Sequence, residues 1–274
     1  MAHSLFEQRK QGVLVAAHRG TSGGNVIQNT SLAYRNSLFQ QADMIEVDVT
    51  MSKDGEFYAF HDGQEPLVLG KEVDIRELNA SQIDAFHCVN QIGEPVTQKL
   101  EKVFDILTEF APQCFINIDR SWFYWETFLP KLENVKALDK IVLKSPVKKE
   151  LLEQLVRYSR AIQYMPIVKS LADLAVLAEY PTLNVVAVEL VFDSLEHELV
   201  QADVLTSLKA KGWLLWVNVI TLNDTTILSG GLDDNQAIAQ GPDSSWGVWV
   251  ERGFDILQTD WPLALKTYLG NKTK

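Results

Sequence analysis

Met44-Ile45-Glu46-Val47-Asp48-Val49 reads as a strand with two unlike faces. Successive strand side chains point to opposite sides, so Ile45, Val47 and Val49 share one face and Glu46 and Asp48 the other. The apolar face suits packing against outer helices, which puts both acids on the inner face. Phe115-Ile116-Asn117-Ile118-Asp119 repeats this parity, with Ile116 and Ile118 outward and Asn117 and Asp119 inward. Strands whose inner face ends in acids belong to a sheet with something charged at its centre.

The rest of the chain supplies the sheet. Strand patterns at 13–18, 44–51, 56–61, 114–119, 140–144, 162–168, 184–190, 213–219 and 255–259 alternate with helical patterns at 32–41, 81–86, 98–110, 122–138, 147–159, 171–179 and 195–209. The run 56–61 follows the turn Lys53-Asp54-Gly55 and reads as a hairpin return. Eight strands remain, alternating with helices almost to the end, and predict an α/β fold: a closed (β/α)8 TIM barrel. A doubly wound open sheet is the alternative that also alternates. One domain over 1–274 is expected, with 62–97 as a small insertion over the barrel mouth. A long final loop over 221–250 carries a short helix near 246–250.

Composition narrows the function. Among 274 residues, 36 acids against 25 bases leave a net charge of −11, which repels nucleic acid and disfavours anionic membranes. The two cysteines, Cys88 and Cys114, cannot build a disulfide framework and lack zinc-site spacing, so they read as buried thiols. No apolar run reaches the roughly 18 residues of a membrane span, so no stable membrane insertion is expected. Arg9 and Lys10 precede only six residues, 12–17, too few for a signal peptide and right for a first strand. The expected location is cytoplasmic, where the sequons at Asn79 and Asn223 stay unmodified. Nothing in the sequence speaks to oligomeric state.

Barrel chemistry sits at the C-terminal ends of the strands. His18 closes the first strand and His61 the hairpin return, flanking Glu46, Asp48 and Asp119. Three inward carboxylates left unpaired would cost several kcal/mol each, and a divalent cation relieves this. All-oxygen ligands select Mg²⁺ or Ca²⁺ over zinc. The competing reading pairs the acids with cations near strand ends: Arg19, Arg120 or Lys144. Gly20-Thr21-Ser22-Gly23-Gly24 satisfies Gly-x-Ser-x-Gly, but only one strand precedes it and the only late histidine, His197, falls in a helical stretch. A serine hydrolase is therefore not expected.

The run His18-Arg19-Gly20, Gln28-Asn29-Thr30, Glu46-Val47-Asp48, Ser52-Lys53-Asp54-Gly55, His61-Asp62 resembles the glycerophosphodiester phosphodiesterase family. Trp216-Val217-Asn218 and the closing 253–262 segment, Gly-Phe-Asp-Ile-Leu-Gln-Thr-Asp-Trp-Pro, agree with it. The resemblance implies a TIM barrel, one divalent cation on Glu46, Asp48 and Asp119, and acid–base work by His18 and His61. It further implies a small-molecule phosphodiester substrate held near Arg19, Lys144, Glu189, Trp216 and Asn218.

Two departures stand out. Gln28 replaces the family's usual Glu, leaving it an uncertain neighbour of the site. Asn117-Ile118-Asp119-Arg120-Ser121 replaces Asn-x-Glu-x-Lys, which shortens the acid and removes the lysine. Parity turns Arg120 outward unless the strand has already ended, so Lys144 is expected to supply the missing cation. A sphingomyelinase D-like lyase and a barrel that binds without turnover remain as alternatives.

Overall fold

Eight parallel strands close on themselves around a core of their own inward side chains. The computed structural model describes residues 5–158 and 162–272. The strands are β1 (Leu14–Ala17), β2 (Met44–Met51), β3 (Phe57–Ala59), β4 (Phe115–Asp119), β5 (Ile141–Pro146), β6 (Gln163–Val168), β7 (Ala187–Leu190), β8 (Leu214–Asn218) and β9 (Ile256–Thr259). They pair in the order β1-β9-β8-β7-β6-β5-β4-β2, and β1 pairs with β2 to complete the ring. β3 lies antiparallel on β2, as the turn at Lys53–Gly55 requires. Closure excludes the open sheet and leaves the barrel without a free edge.

The two faces of each strand go to different cores. Val15, Ile45, Val47, Ile116, Ile118 and Leu143 face the ring of helices. Leu14, Ala16, Met44, Phe115, Val142 and Trp216 fill the interior. Along five of the strands the inward positions change character in the same direction. They run Ala16 to His18, Met44 to Glu46 to Asp48, Phe115 to Asn117 to Asp119, Val142 to Lys144 and Ala187 to Glu189. The apolar starts pack the lower barrel, and the polar ends gather at the C-terminal mouth. Pairing of Glu46 with Asn117 and of Asp48 with Asp119 puts the acids of two strands at one level.

Most helical patterns appear in place, with informative differences. The pattern at 98–110 becomes a helix only at Val103–Phe110. Its first residues are extended, because Glu101 O takes the Ala59 amide and Gln98 Oε1 takes the Ile27 amide. The pattern at 122–138 splits into a 3-10 turn (Ser121–Tyr124), a helix (Trp125–Leu132) and a second turn (Leu138–Lys140). The pattern at 147–159 is a helix over Lys149–Arg157, and its last residue, Ser159, lies outside the described residues. Helices Leu5–Arg9, Glu65–Leu69, Asp234–Gln240 and Pro262–Lys272 had no clear period to announce them. Leu5 is fully buried among the lower-barrel residues, so the first of these closes the barrel floor.

Residues 62–97 contain short helices and a turn around a cluster of their own, with Val68, Leu69, Ile75, Ile83 and Cys88 packed on Tyr58 and Phe60. The β1 loop is held by Gly20 at φ +73°, where an added Cβ would lie 2.8 Å from Ala33 Cβ. Only glycine lets helix Ser31–Phe39 pack this closely on the loop that carries Arg19. Both cysteines are buried and free, and burial pushes each thiol up to about 12, as inert packing groups.

Candidate active site

A cavity of about 1480 Å³ opens at the barrel mouth, its lining including His18, Arg19, Gln28, His61, Gln64 and Asp260. Among the described residues, Glu46, Asp48 and Asp119 form the one acidic group with oxygens mutually within 4.8 Å. Glu46 and Asp48 are buried and Asp119 half-buried. The three carboxylates expected from strand parity are thus brought together.

Local backbone geometry holds them. Arg19 and Asn29 both adopt positive φ, 53° and 57°, which few side chains tolerate. The Arg19 amide donates to Glu46 Oε2 at 2.9 Å, and the Arg19 Nε lies 2.9 Å from Asp48 Oδ2. Asn29 Nδ2 donates to Asp48 Oδ2 at 3.0 Å, while Asn29 Oδ1 accepts from the Asp48 amide and from Tyr34 Oη. Asn29 is thus a positioning group for Asp48, visible in the sequence only as the middle of Gln28-Asn29-Thr30. Thr30 follows as N-cap of helix Ser31–Phe39.

The acids differ electrostatically. Burial, then Asp48 and Asp119, raises the Glu46 carboxyl well above its ordinary range, against Lys144 and Arg19. Burial also works to raise Asp48, but Arg19, the histidines and the Asn29 hydrogen bond win and lower it. Lys144 is buried, which works to lower it, yet Asp119, Glu189 and Glu46 together raise it.

His18 Nδ1 lies 2.9 Å from Asp260 Oδ1, and His61 Nδ1 lies 2.7 Å from the Asp62 carbonyl oxygen. In each ring the neutral tautomer with a proton on Nδ1 donates to its partner and leaves Nε2 as the free nitrogen. Asp260 is a site neighbour to which sequence reading assigned no role. Its signal lay in the strand-end position of Thr259-Asp260-Trp261-Pro262.

The other expected site residues pair with one another. Lys144 Nζ sits 2.5 Å from Asp119 Oδ2 and 3.0 Å from Glu189 Oε2. Trp216 is fully buried in the barrel interior and donates through Nε1 to Asn218 Oδ1 at 2.6 Å. Asn218 Nδ2 then donates to Glu189 Oε1 at 2.8 Å. Lys144, Glu189, Asn218 and Trp216 thus form a polar chain that ends on Asp119, because all four occupy inward positions of strands β5, β7 and β8. Arg120 does not continue the strand, which ends at Asp119. It takes a left-handed conformation at φ 60°, with its guanidinium paired to Asp62 and stacked 5.3 Å from the Phe123 ring centre. Gln28 lines the cavity, with its Oε1 3.5 Å from Arg19 Nη1 and its Nε2 3.5 Å from Gln64 Oε1. Ser22 is exposed in the β1 loop, and no hydrogen bond to a histidine is found for it among the described residues.

A glycerophosphodiester phosphodiesterase of Bacillus altitudinis is 29% identical over 109 residues, which are 38% of this chain and 44% of that protein. The solved glycerophosphoryl diester phosphodiesterase of Parabacteroides distasonis superposes with a TM-score of 0.77 at 13% identity, covering 95% of this chain and 87% of that one. This chain is similar to the glycerophosphodiester phosphodiesterases. A phosphodiesterase of Oleispira antarctica, solved with sn-glycerol-3-phosphate, gives a TM-score of 0.65 at 15% identity over 96% of this chain and 99% of that one. These superpositions show the shared TIM-barrel fold. The chain spans 44% of the length of the first curated relatives it matches. A family model described only as a domain of unknown function matches residues 164–269.

Proposed function

We propose that this chain is a metal-dependent phosphodiesterase that cleaves a glycerophosphodiester to glycerol phosphate and an alcohol. The observation that carries the reading is the buried Glu46–Asp48–Asp119 cluster under a cavity walled by two histidines with tethered rings. The donor set fits a hard divalent ion. Four buried or half-buried carboxylates, Glu46, Asp48, Asp119 and Glu189, face two cations, Arg19 and Lys144. The excess of two negative charges is the charge of one Mg²⁺ or Ca²⁺. When bound, such an ion draws charge from a phosphoryl oxygen and offsets the charge that develops there.

The chain's own groups do the rest. Arg19 offers its guanidinium to a second phosphoryl oxygen, as charge-assisted donors do. His18, backed by the Asp260 carboxylate, is suited to take a proton from the attacking water, because a carboxylate compensates the charge the ring gains. His61, backed by a neutral carbonyl, is suited to give a proton to the leaving alkoxide. Lys144 and Glu189 act at one remove, fixing Asp119, and Asn218 and Trp216 fix Glu189. We read the described residues as one domain, with 62–97 contributing His61's neighbours Gln64 and Leu67 to the cavity wall.

A second reading of the substrate rests on the apolar part of the cavity wall. Leu222, Ile238, Trp261, Leu263 and Ala264 make it apolar, and four of these are about half exposed. That wall suits a diester with an apolar group better than one with a charged head. The test is incubation with glycerophosphodiesters of polar and apolar alcohols, with Mg²⁺, Ca²⁺ or Mn²⁺ and then with chelator. Free alcohol that vanishes with chelator is the expected result. A cyclic phosphate product would replace hydrolysis by a lyase reaction, as in a sphingomyelinase D-like enzyme. Substrate binding without product would overturn the enzyme reading in favour of a binding barrel.

A further inference from the structure

Asp234 begins the helix Asp234–Gln240 in the long loop after β8 and is 1% exposed. It lies outside the acidic cluster, yet three donors converge on its carboxylate. Oδ1 accepts from Trp246 Nε1 and from Thr259 Oγ1, each at 2.8 Å, and Oδ2 accepts from the Asp260 amide at 2.9 Å. Its own amide donates to the Val219 carbonyl at the end of β8. Asp260 in turn reaches His18 Nδ1, and the His18 amide donates to the Thr259 carbonyl at 3.1 Å. A buried carboxylate in the last loop is thus two hydrogen bonds from a cavity histidine.

The side chain of Asp260 is 44% exposed. Its direction is set by its backbone, just past β9, where the ladder of the barrel has ended. The buried, triply bonded Asp234 holds that backbone through the Asp260 amide.

We propose that Asp234 is a positioning residue for His18: it fixes the Asp260 backbone so that the Asp260 carboxylate holds His18 with its proton on Nδ1 and Nε2 free. This rests on the reading of His18 as a proton-transfer group. The chain Asp234–Asp260–His18 joins the loop over 221–250 to the chemistry, which gives that loop a task besides covering the mouth. Outer partners of this kind change activity by about 10–100-fold when removed. Asp234 stands one step further out, so the lower end applies.

The test is a double-mutant cycle of Asp234→Asn and Asp260→Asn, read in two ways. On the best diester, Asp234→Asn is expected to lower kcat on the order of 10-fold with KM changed less than about twofold. The ring ¹⁵N shifts of His18 should move from the Nδ1–H tautomer toward a mixture. The double variant should be no worse than Asp260→Asn alone, because both changes break one chain. If Asp234→Asn fails to fold, Thr259→Val, which removes one bond to Asp234 at nearly constant shape, carries the same two readouts with a smaller expected change. An unchanged His18 tautomer, or losses that multiply in the double variant, would overturn the proposal. The ¹⁵N measurement needs no substrate, so it separates this failure from failure of the phosphodiesterase reading.

Discussion

Glu46→Gln separates what the buried acids do to the fold from what they do for a cation. With oxygens mutually within 4.8 Å, each like-charge pair in the cluster repels by roughly 3.5 kcal/mol at an effective dielectric of about 20. Glu46 takes part in two such pairs, and attraction to Lys144 and Arg19 offsets much of this. The raised proton affinity of Glu46 shows that repulsion and desolvation prevail. Its stabilising proton is fully present below the ordinary glutamate range and is lost as pH rises through the folded-state value. At neutral pH, without cation, Glu46→Gln should therefore stabilise the fold by about 1–3 kcal/mol, which is about 2–4 °C in Tm per kcal/mol at this size.

Cation reverses the order. A ligand at 100 times its Kd stabilises by about 2.7 kcal/mol, and the wild type should gain this with Mg²⁺ or Ca²⁺ while the variant gains nothing. The Gln side chain keeps an oxygen for the Arg19 amide, so packing is preserved. Differential scanning calorimetry with chelator, with each cation, and at a pH low enough to protonate Glu46 makes the comparison. At that low pH the two proteins should match. A variant that is less stable without cation, or that keeps the full cation-induced shift, would refute both the repulsion argument and the metal assignment.

Three further outcomes are expected. His18→Ala and His61→Ala should each lower turnover by about 10²–10⁴-fold with cation affinity nearly unchanged, and a substrate with a very good leaving group should rescue the variant lacking the acid. Gln28→Glu, which adds a carboxylate at the cavity wall beside Arg19, should tighten Mg²⁺ or Ca²⁺ binding in calorimetric titration; weaker binding would place that position outside the site. Burial, opposed by hydrogen bonds, raises the Asp234 carboxyl to about 7, with Asp260 the acid facing it. Its stabilising proton is fully bound below about pH 4 and released as pH rises through about 7. The wild type should thus lose on the order of 4 kcal/mol across that window, a slope that denaturant melts of Asp234→Asn should lack.

Much of this was legible along the chain because strand parity is strictly local. Glu46, Asp48 and Asp119 could be turned inward from the apolar identity of Ile45, Val47, Ile116 and Ile118, and eight such strands with intervening helices implied closure. The change from apolar to polar along inward faces such as Met44 to Asp48 even marked which end of the barrel holds the chemistry. Helices Leu5–Arg9 and Pro262–Lys272 escaped, since they are set by packing on the barrel and carry little amphipathic period of their own.

Pairings between distant strands belong to tertiary structure alone. The sequence placed Lys144 near a strand end, but only the closed barrel decided that it meets Asp119 and Glu189 and that Trp216 is fully buried. The end of β4 at Asp119, and with it the turn of Arg120 toward Asp62, depends on where the neighbouring strands stop offering hydrogen bonds. Asp234 and Asp260 are 26 positions apart, and no local pattern joins them. A strand's faces follow from the geometry of its own peptide units, whereas the partner a side chain finds across a barrel follows from register and closure, which belong to all the strands at once.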